Sequence, residues 1–229
     1  MSFFKDIKGQ FQNKSLRQLV ANFRTEYISD GIEEKNMNDD PLIQFEKWFD
    51  EAVSNKIPEP NIMHLSTVSS DCKPSGRYLL LKGFDEKGFV FYTNYDSRKG
   101  IDLEKNNYAA LTFLWYELYR QIRIEGTVKK ISAEESDKYF SSRPAGSQLS
   151  AIASSQSCII ENRSVLEKKV KELEKVYENK PAPRPDNWGG YCLSPVSIEF
   201  WQGRASRLHD RILYTLENNN HWTKQRLAP

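Results

Sequence analysis

Strand-like segments dominate this sequence, and short turns rather than long helices separate most of them. They are rich in aromatic and β-branched residues, as strands usually are, and cover residues 61–68, 76–84, 89–92, 109–116, 121–131, 190–202, 211–216 and 221–226. Asp85 to Gly88 forms a typical hairpin turn between the second and third segments. Antiparallel strands can be joined by tight turns, whereas parallel strands need long crossovers. The pattern therefore predicts a mainly β fold, an antiparallel barrel with a few peripheral helices.

Helix signals are fewer than strand signals. Asp39-Asp40-Pro41 places a capping residue before a proline at the first helical position, and it predicts a helix with one apolar face, formed by Leu42, Phe45, Phe49 and Val53. Ser97 to Lys105 predicts a short helix, and Ser132 to Phe140 predicts a helix that a capping box opens. Residues 162–179 carry the longest helical periodicity. We expect residues 1–38 to form a flexible arm and residues 39–229 to form a single domain.

The composition restricts the class of protein and its partners. The chain has 33 Lys and Arg against 31 Asp and Glu, and this formal net charge of +2 does not favour nucleic acid or a membrane surface as the partner. No apolar run approaches the roughly 20 residues of a bilayer-spanning helix, and the N-terminal segment lacks the apolar stretch of a secretory signal. Neither GxGxxG nor a P-loop is present. The cysteines Cys72, Cys158 and Cys192 lie far apart, which favours a reducing compartment, the cytoplasm.

The first candidate site lies between residues 77 and 99. Arg77 and Lys82 are an odd number of residues apart in one predicted strand, so their side chains face opposite sides and can hold different anions. Arg98 and Lys99 stand at the start of a predicted helix, where free N–H groups and the helix dipole favour a phosphate. Ordinary surface charge is the alternative interpretation.

The second candidate site surrounds the predicted end of the helix that begins at Ser132. Tyr139, Arg143 and Ser147 are spaced by four and four residues. The planar fork of an arginine matches phosphate oxygens, and the two hydroxyl groups can complete a phosphate cradle. An amphipathic helix end with exposed polar groups is the alternative.

The third candidate site is the loop that follows Trp201. It brings four basic side chains together within a few residues, namely Arg204, Arg207, His209 and Arg211. Cations so close repel one another unless an anion or a carboxylate lies among them, and Asp210 can neutralise only one of them. Histidine is the side chain most easily tuned near neutral pH, which makes His209 the candidate for chemistry. His64 and His221 are expected in structural or exposed positions, and the histidine spacing predicts no metal site.

Several motifs occur together in a fixed order: Arg77–Phe84, Phe91–Lys99, Arg120–Gly126, Tyr139–Gln148, Trp188–Gly190, Glu199–Gly203, Arg207–Arg211 and Arg226–Pro229. In these motifs the sequence resembles the pyridoxamine/pyridoxine 5′-phosphate oxidase family, from about residue 24 to the last residue. The resemblance implies an FMN-dependent oxidoreductase with a split-barrel fold (antiparallel and Greek-key-like). It also implies a homodimer whose active sites lie at the subunit interface.

The implied reaction is the oxidation of pyridoxamine 5′-phosphate and pyridoxine 5′-phosphate by O₂ to pyridoxal 5′-phosphate. Hydrogen peroxide is released, together with ammonia from the amine, in vitamin B6 salvage and pyridoxal phosphate biosynthesis. The resemblance assigns FMN contacts to Arg77, Tyr78, Leu79, Leu80, Tyr92, Thr93, Arg98, Lys99, Gln121, Gln156, Ser157, Trp201 and Arg211. It assigns substrate contacts to Arg24, Thr25, Glu26, Tyr27, Lys82, Tyr139, Arg143, Ser147, Arg207 and His209. Arg207 and His209 are the implied catalytic pair, as groups that orient the substrate ring, and Arg24 to Tyr27 belong to a segment that closes over it.

The sequence departs from the family at one position near the second candidate site. Ser150 stands where the family has a glycine, a residue that can serve a backbone requirement. Two other classes of protein remain alternatives: a non-catalytic FMN carrier or sensor, and an RNA-binding barrel. A carrier has no need for Lys82, Tyr139, Arg143, Arg207 and His209 together, so their joint presence favours the oxidase.

Overall fold

The structure is a computed structural model that describes residue 20 and residues 26–178, 180–218 and 220–229. In this part of the chain the helices are α1 (Pro41–Ser54), α2 (Arg98–Lys105), α3 (Ala133–Ser142), α4 (Ala145–Ala153) and α5 (Arg163–Val176). The strands are β1 (Ile62–Val68), β2 (Pro74–Leu80), β3 (Gly83–Asp85), β4 (Gly88–Asn94), β5 (Tyr108–Trp115), β6 (Arg120–Lys130), β7 (Trp188–Gln202), β8 (Asp210–Leu216) and β9 (Trp222–Leu227). Short 3-10 turns cover Glu34–Asn36, Tyr116–Leu118 and Ala205–Arg207.

The strands form one antiparallel sheet that curls into a half-barrel, which confirms the predicted fold class. Its order is β2-β1-β5-β6-β7-β4-β3, and β8 and β9 extend from β7. Strand β7 is the branch point, since it pairs with β6 along one edge and with β4 and then β8 along the other. Because every ladder among the described strands is antiparallel, hairpins and short connections suffice to join them.

The core lies inside the half-barrel, where alternate residues of each strand are buried. In β5 the residues Leu111 and Phe113 have no exposed surface, whereas their neighbour Leu114 is exposed. In β6 the residues Ile122 and Ile124 are likewise fully buried. The residues that alternate with them, such as Leu114, point to the other face of the sheet.

Helix α1 closes one side of the core. Asp40 caps it by accepting a hydrogen bond from the Leu42 N–H group, at 2.7 Å, as the sequence predicted. The predicted apolar face was partly wrong, because Val53 is exposed and Trp48 is buried instead. The ring of Trp48 packs edge-on against Phe200 of β7, 5.1 Å between centroids, so the buried stripe of the helix is rotated toward the sheet.

Two other sequence predictions need correction. The segment 76–84 is not one strand: β2 ends at Leu80 and β3 begins at Gly83, so side-chain alternation does not run from Arg77 to Lys82. Helix α4 was not predicted, because Pro144 indicated an end rather than the start of a second helix. Ser150 lies inside α4 with a negative φ, and its hydroxyl donates to the Gly146 carbonyl at 2.7 Å. The serine therefore meets no backbone strain at this position.

Among the described residues, no helix combines the length and the apolar composition that crossing a bilayer requires.

Candidate functional site

A cavity of about 380 Å³, here called the anion cavity, lies between β2 and the first turn of α2. Arg77 lines it from β2, Arg98 and Lys99 line it from α2, and Gln156 and Ser157 complete the wall. The first turn of α2 holds no acidic residue, although acidic residues are the ones that a helix N-terminus favours. Two basic side chains at this end gain stability when an anion lies beside them.

Lys99 is the most buried of these cations, with 6% of its surface exposed. Its ammonium group donates hydrogen bonds to Thr93 Oγ1 and Ser97 Oγ, both at 3.1 Å, and to Gln156 Oε1 at 3.3 Å. These acceptors are uncharged, and among the described residues no carboxylate forms an ion pair with Lys99. Burial, and then the nearby charge of Arg77, lower the pKa of Lys99 to about 8.

Arg77 is held from behind by a small network of hydrogen bonds. Its guanidinium donates to Thr67 Oγ1 at 2.7 Å and to Ser75 Oγ at 2.8 Å. The Thr67 hydroxyl in turn donates to the buried carboxylate of Asp102, at 2.7 Å. Asp102 itself lies 3.9 Å from Arg77 and is not among the residues that line the anion cavity. The network orients Arg77 while leaving part of its fork available to a ligand.

A second cavity, of about 470 Å³, lies where β2, β4, α3 and the start of α4 meet, and is here called the aromatic cavity. Lys82, Tyr139, Arg143 and Ser147 all line it, so the structure brings the second candidate site and Lys82 together. The Tyr139 ring is stacked on Tyr92, 3.8 Å between centroids and 18° between planes. One wall of the cavity is therefore a stack of flat rings.

The anion and aromatic cavities are joined. A third cavity, of about 370 Å³, shares Gln156 with the anion cavity and shares Tyr92 and Arg143 with the aromatic cavity. Tyr78 and Leu79 line both outer cavities, Leu80 lines the aromatic cavity, and Thr93 lines the joining one. The three cavities together form one continuous space, here called the tract. The cations at one end, Arg77, Arg98 and Lys99, suit one phosphate group. Lys82 and Arg143 at the other end suit a second.

The remaining predicted contacts form a separate cluster on β6, β7 and β8. Gln121 is paired with Trp201, and Trp201 with Arg211, so the three side chains lie side by side across the sheet. Arg211 donates to both carboxylate oxygens of the buried Glu199, at 2.8 and 3.1 Å. These hydrogen bonds raise the pKa of Arg211 above its usual range. Among the residues that line the three cavities in the described part of the chain, none is Gln121, Trp201, Arg207, His209 or Arg211.

The loop after β7 presents Arg207 and His209 beside this cluster. Ser206 and Arg207 have φ values of 55° and 61°, in the left-handed region that such residues seldom adopt. The Arg204 N–H group donates to Nδ1 of His209 at 3.1 Å, so the neutral ring carries its proton on Nε2. Burial, and then the charge of Arg207, lower the pKa of His209, which favours the neutral ring.

Part of the predicted closing segment packs on the same loop. The Tyr27 ring lies 5.6 Å from the His209 ring and 5.9 Å from Trp201, between centroids, while Glu26 is exposed. Residues 29–34, here called the anchor segment, are tied to the barrel: Ser29 Oγ donates to the Gly203 carbonyl at 2.6 Å, and the Ile32 N–H group donates to Asp210 at 3.0 Å. Arg24 and Thr25 lie outside the described residues.

Arg226, in the last strand, completes the anchor. It forms an ion pair with Glu34 and another with Asp210, each at 2.5 Å, and it donates to the Ile32 carbonyl at 2.9 Å. The hydrogen bond from Arg226 lowers the pKa of Glu34 to about 2, so this pair stays charged in all but strong acid. Asp210 thereby neutralises Arg204 and Arg226 rather than Arg207 or Arg211.

Sequence reasoning missed one prominent residue of the tract. Trp188, the first residue of β7, lines both the aromatic and the joining cavities, and its ring is stacked on Tyr92, 5.6 Å between centroids. The Trp188-Gly-Gly motif indicated the family but no role for the ring. The acids behind the site, Asp102 and Glu199, were also missed, because nothing in the local sequence says which arginine a distant carboxylate meets.

Comparison with known proteins places the chain in a family. The family model described as pyridoxamine 5′-phosphate oxidase matches residues 49–177, and the one described as pyridoxine 5′-phosphate oxidase C-terminal dimerisation region matches residues 188–229. Proteins named pyridoxine/pyridoxamine 5′-phosphate oxidase from Herminiimonas arsenicoxydans and from a Nostoc species are each 53% identical over 210 residues. The match covers 92% of this chain and 99% and 98% of those relatives.

Solved structures share the fold. The protein PhzG from Burkholderia lata, determined in complex with tetrahydrophenazine-1-carboxylic acid, matches with a TM-score of 0.82 and 29% identity, over 87% of this chain and 98% of its own. An FMN-binding protein from Nostoc punctiforme, related to pyridoxamine 5′-phosphate oxidase, matches with a TM-score of 0.66 and 17% identity, over 84% of this chain and 100% of its own.

These matches confirm the predicted family and the split-barrel fold, and they support FMN as the cofactor. The matched C-terminal region supports a homodimer. The motifs that carried the resemblance lie within the matched residues, on strands and helices of one fold. The chain therefore belongs to the pyridoxamine 5′-phosphate oxidase family of flavin-binding oxidoreductases.

Proposed function

We propose that this protein oxidises pyridoxamine 5′-phosphate and pyridoxine 5′-phosphate to pyridoxal 5′-phosphate in vitamin B6 salvage. O₂ is reduced to hydrogen peroxide, and the amine substrate also takes up water and releases ammonia. The observation that carries the proposal is the continuous tract, in which Lys82 and Arg143 line one cavity while Arg77 and Lys99 line another joined to it. Two phosphate-bearing ligands, placed end to end, suit such a tract. The 53% identity to relatives named for this reaction adds support.

The residues of the anion cavity fit the phosphate of FMN. Arg98 and Lys99 stand at a helix N-terminus without an acidic neighbour in its first turn, and Lys99 has only uncharged hydrogen-bond acceptors. When bound, FMN supplies the acceptor for the hydride and the reaction with O₂. Arg77, Arg98, Lys99 and Ser157 would hold its phosphate, and Tyr78 to Leu80, Tyr92, Thr93 and Gln156 would border the rest of the molecule.

The aromatic cavity would hold the substrate phosphate. Lys82 and Arg143 supply positive charge, and Tyr139 and Ser147 supply hydroxyl donors around the same space. Arg143 Nη1 is buried and has no hydrogen-bond partner among the described residues. A buried donor without a partner is costly in free energy, and a phosphate oxygen in this cavity would satisfy it.

Arg207 and His209 would orient the substrate ring. Because Nδ1 of His209 accepts from the Arg204 backbone, its Nε2–H group is the one left to donate to a polar substituent of the ring. Arg207 is exposed and has no carboxylate in ion-pair contact within the described chain, so its charge is available to the ligand. Both residues hold and orient, and neither is assigned a proton-transfer step.

The active site is proposed to lie between two protomers. Gln121, Trp201, Arg207, His209 and Arg211 are grouped away from the tract of their own chain, while the dimerisation region covers most of them. A second copy can present this cluster to the tract of the first, and the reverse, as two-fold symmetry requires. Trp201 and Arg211 would then contact FMN, and Arg207 and His209 the substrate, across the interface.

The domain organisation and cellular setting are proposed on the same basis. Residues 1–38 would form an arm whose Arg24 to Tyr27 segment closes over the substrate, and residues 39–229 the catalytic domain. Tyr27 already packs against His209, and a closed lid would exclude water from the site. Cys72, Cys158 and Cys192 are all free thiols, which suits the reducing cytoplasm.

An assay of oxygen consumption tests the proposed reaction. FMN-loaded protein is expected to consume O₂ and release hydrogen peroxide with both phosphorylated vitamers, and to do so far more slowly with unphosphorylated pyridoxamine. A reduced phenazine carboxylate is the comparison substrate, because the PhzG structure was determined with a ligand of that class. Peroxide from the phenazine alone, with none from either vitamer, would overturn the proposal.

A further inference from the structure

Arg143 is held by aromatic rings rather than by a carboxylate. It follows α3 with extended backbone (φ −75°, ψ 151°), as the next residue, Pro144, requires. Its guanidinium carbon lies 4.6 Å from the centroid of the Trp188 ring and 5.6 Å from that of Phe140. Neither a carboxylate nor a hydrogen-bond acceptor holds its Nη1 atom among the described residues. The rings of Trp188 and Phe140 therefore determine where the guanidinium charge of Arg143 lies.

Trp188 is itself firmly fixed. Its backbone N–H group donates to the Pro185 carbonyl at 3.0 Å, and its backbone carbonyl accepts from Arg184 Nη1 at 2.6 Å. The residue is 7% exposed, and its ring lies nearly parallel to that of Tyr92, at 14°, and meets that of Phe140 edge-on at 5.2 Å. The ring cannot turn without disturbing this stack, so it offers Arg143 a rigid platform.

An aromatic platform and a carboxylate have different consequences for a ligand. A carboxylate would fix the guanidinium but would also neutralise it and repel a phosphate. The face of an indole ring attracts a cation through its quadrupole, carries no net charge, and leaves the N–H groups at the edge of the fork free. Burial also lowers the pKa of Arg143, a cost that an anionic ligand would relieve.

We propose that Trp188 is a positioning residue that presents Arg143 to the phosphate of the substrate. This inference rests on the proposed function, since it assigns the aromatic cavity to a phosphorylated ligand. It predicts that Trp188 contributes to phosphate recognition through Arg143, and not merely to the stability of the fold.

Two substitutions separate these roles in FMN-loaded protein. Trp188→Leu removes the aromatic face, and Trp188→Phe keeps a smaller one. Binding of pyridoxal 5′-phosphate and of unphosphorylated pyridoxal is measured by calorimetry. Trp188→Leu is expected to weaken binding of the phosphorylated ligand about tenfold and to leave pyridoxal nearly unchanged. Trp188→Phe is expected to lose only about threefold, again for the phosphorylated ligand alone.

A double-mutant cycle provides the decisive comparison. In an Arg143→Ala background, Trp188→Leu should cause no further loss, because the group that it positions is gone. Equal weakening of both ligands, or losses that simply add in the double variant, would show a structural role and overturn the proposal. FMN content and the melting temperature report folding, and if Trp188→Leu does not fold, Trp188→Phe is judged by the same criteria.

Failure of this inference is distinguishable from failure of the proposed reaction. Oxygen consumption by the wild-type protein tests the reaction, whereas the ligand-binding comparison requires no turnover. A protein that binds the phosphorylated ligand through Arg143 and Trp188 but oxidises neither vitamer would fail the first test and pass the second.

Discussion

Arginine side chains in this protein fall into two groups according to their partners. Most of those that the structure describes are paired with a carboxylate, as Arg120 is with Glu51 and Arg184 is with Asp137. Within the described chain, Arg98, Arg143 and Arg207 have no carboxylate in ion-pair contact, and sequence motifs had assigned all three to ligands. Pairing neutralises a cation, so the charges of Arg98, Arg143 and Arg207 stay available to the proposed ligands.

Lys99 makes the anion cavity sensitive to pH. Its pKa of about 8 means that it is charged at neutral pH and loses the charge as the pH rises through that value. FMN affinity should therefore fall about tenfold between about pH 7 and about pH 9, since bound phosphate favours the charged lysine. Quenching of FMN fluorescence on titration with apoprotein measures the affinity.

The matched variants are Lys99→Gln and Lys105→Gln, on the same helix. Lys105 is exposed in the last turn of α2, so its replacement should leave both the affinity and the pH dependence as in the wild type. Lys99→Gln should bind FMN more weakly at neutral pH and show a flat profile. A profile that stays steep in Lys99→Gln would assign the titration to another group.

At the scale of single residues, the sequence indicated some of the side chains that lie close together. The spacing of Tyr139, Arg143 and Ser147 indicated a cradle, and these residues do line one cavity with Lys82. The partners that orient the cations were beyond its reach, because Asp102 meets Arg77, and Trp188 meets Arg143, only after the sheet and α3 have formed. Contacts of that kind depend on tertiary structure and leave no local pattern.

Among the elements, the anchor segment and the last strand act as one unit. Arg226 on β9 contacts Glu34 and Ile32, and Asp210 at the start of β8 accepts from Ile32 and Arg204. The anchor holds the chain a few residues after Tyr27, which packs on His209. The position of the proposed lid is thus set from the C-terminal end of the protein.

Arg226→Ala should loosen the anchor segment without affecting the flavin. The substitution removes charge-assisted hydrogen bonds to Glu34 and Asp210, so amide exchange in residues 26–34 should become about tenfold faster. Hydrogen exchange with mass spectrometry measures this, and the KM for pyridoxamine 5′-phosphate should rise severalfold with FMN binding unchanged.

The control is Arg163→Ala, which breaks an exposed ion pair with Glu167 on α5. Surface pairs of this kind contribute little, so exchange in residues 26–34 and the KM should both stay at wild-type values. Unchanged exchange in Arg226→Ala would show that the anchor holds through Ser29 and Ile32 alone.

The prediction of helices and strands succeeded where the sequence pattern that marks them is local. The capping box at Ser132 and the cap at Asp40 are present, and nearly every strand lies within a few residues of its predicted bounds. It failed at residues 81–82, where an apolar run concealed a break between β2 and β3, and at α4, whose start at a proline was taken as an end. In both cases one element ends and the next begins within four residues, and the local sequence does not indicate both boundaries.

On the proposed dimer arrangement, the tract of one chain and the cluster around His209 of the other form one active site. Mixing two inactive variants tests whether one active site uses both chains. Lys82→Ala damages the tract, and Arg207→Ala damages the cluster, so each homodimer should have low activity while binding FMN. After unfolding and joint refolding, random dimers should recover about a quarter of wild-type activity, because half are mixed and each mixed dimer has one intact site.

The control mixes Lys82→Ala with Arg143→Ala, both in the tract. These variants damage the same half, so every mixed dimer keeps a defect in each site and activity should stay low. No recovery in the Lys82 and Arg207 mixture would place both halves of the site within one chain. Recovery in this control would instead show that Lys82 and Arg143 reach one site from different chains.

The length of strand β7 bears on the oligomeric state that activity requires. Its 15 residues begin at Trp188, in the tract, and reach Trp201, in the opposite cluster. At about 3.3 Å per residue, the strand spans roughly 40 Å between these rings, measured along its course. On the proposed arrangement, the tract and the cluster of a single chain stay apart, and each active site requires two chains. Only the dimer would then be active, and dilution that dissociates it would abolish activity while each chain stays folded.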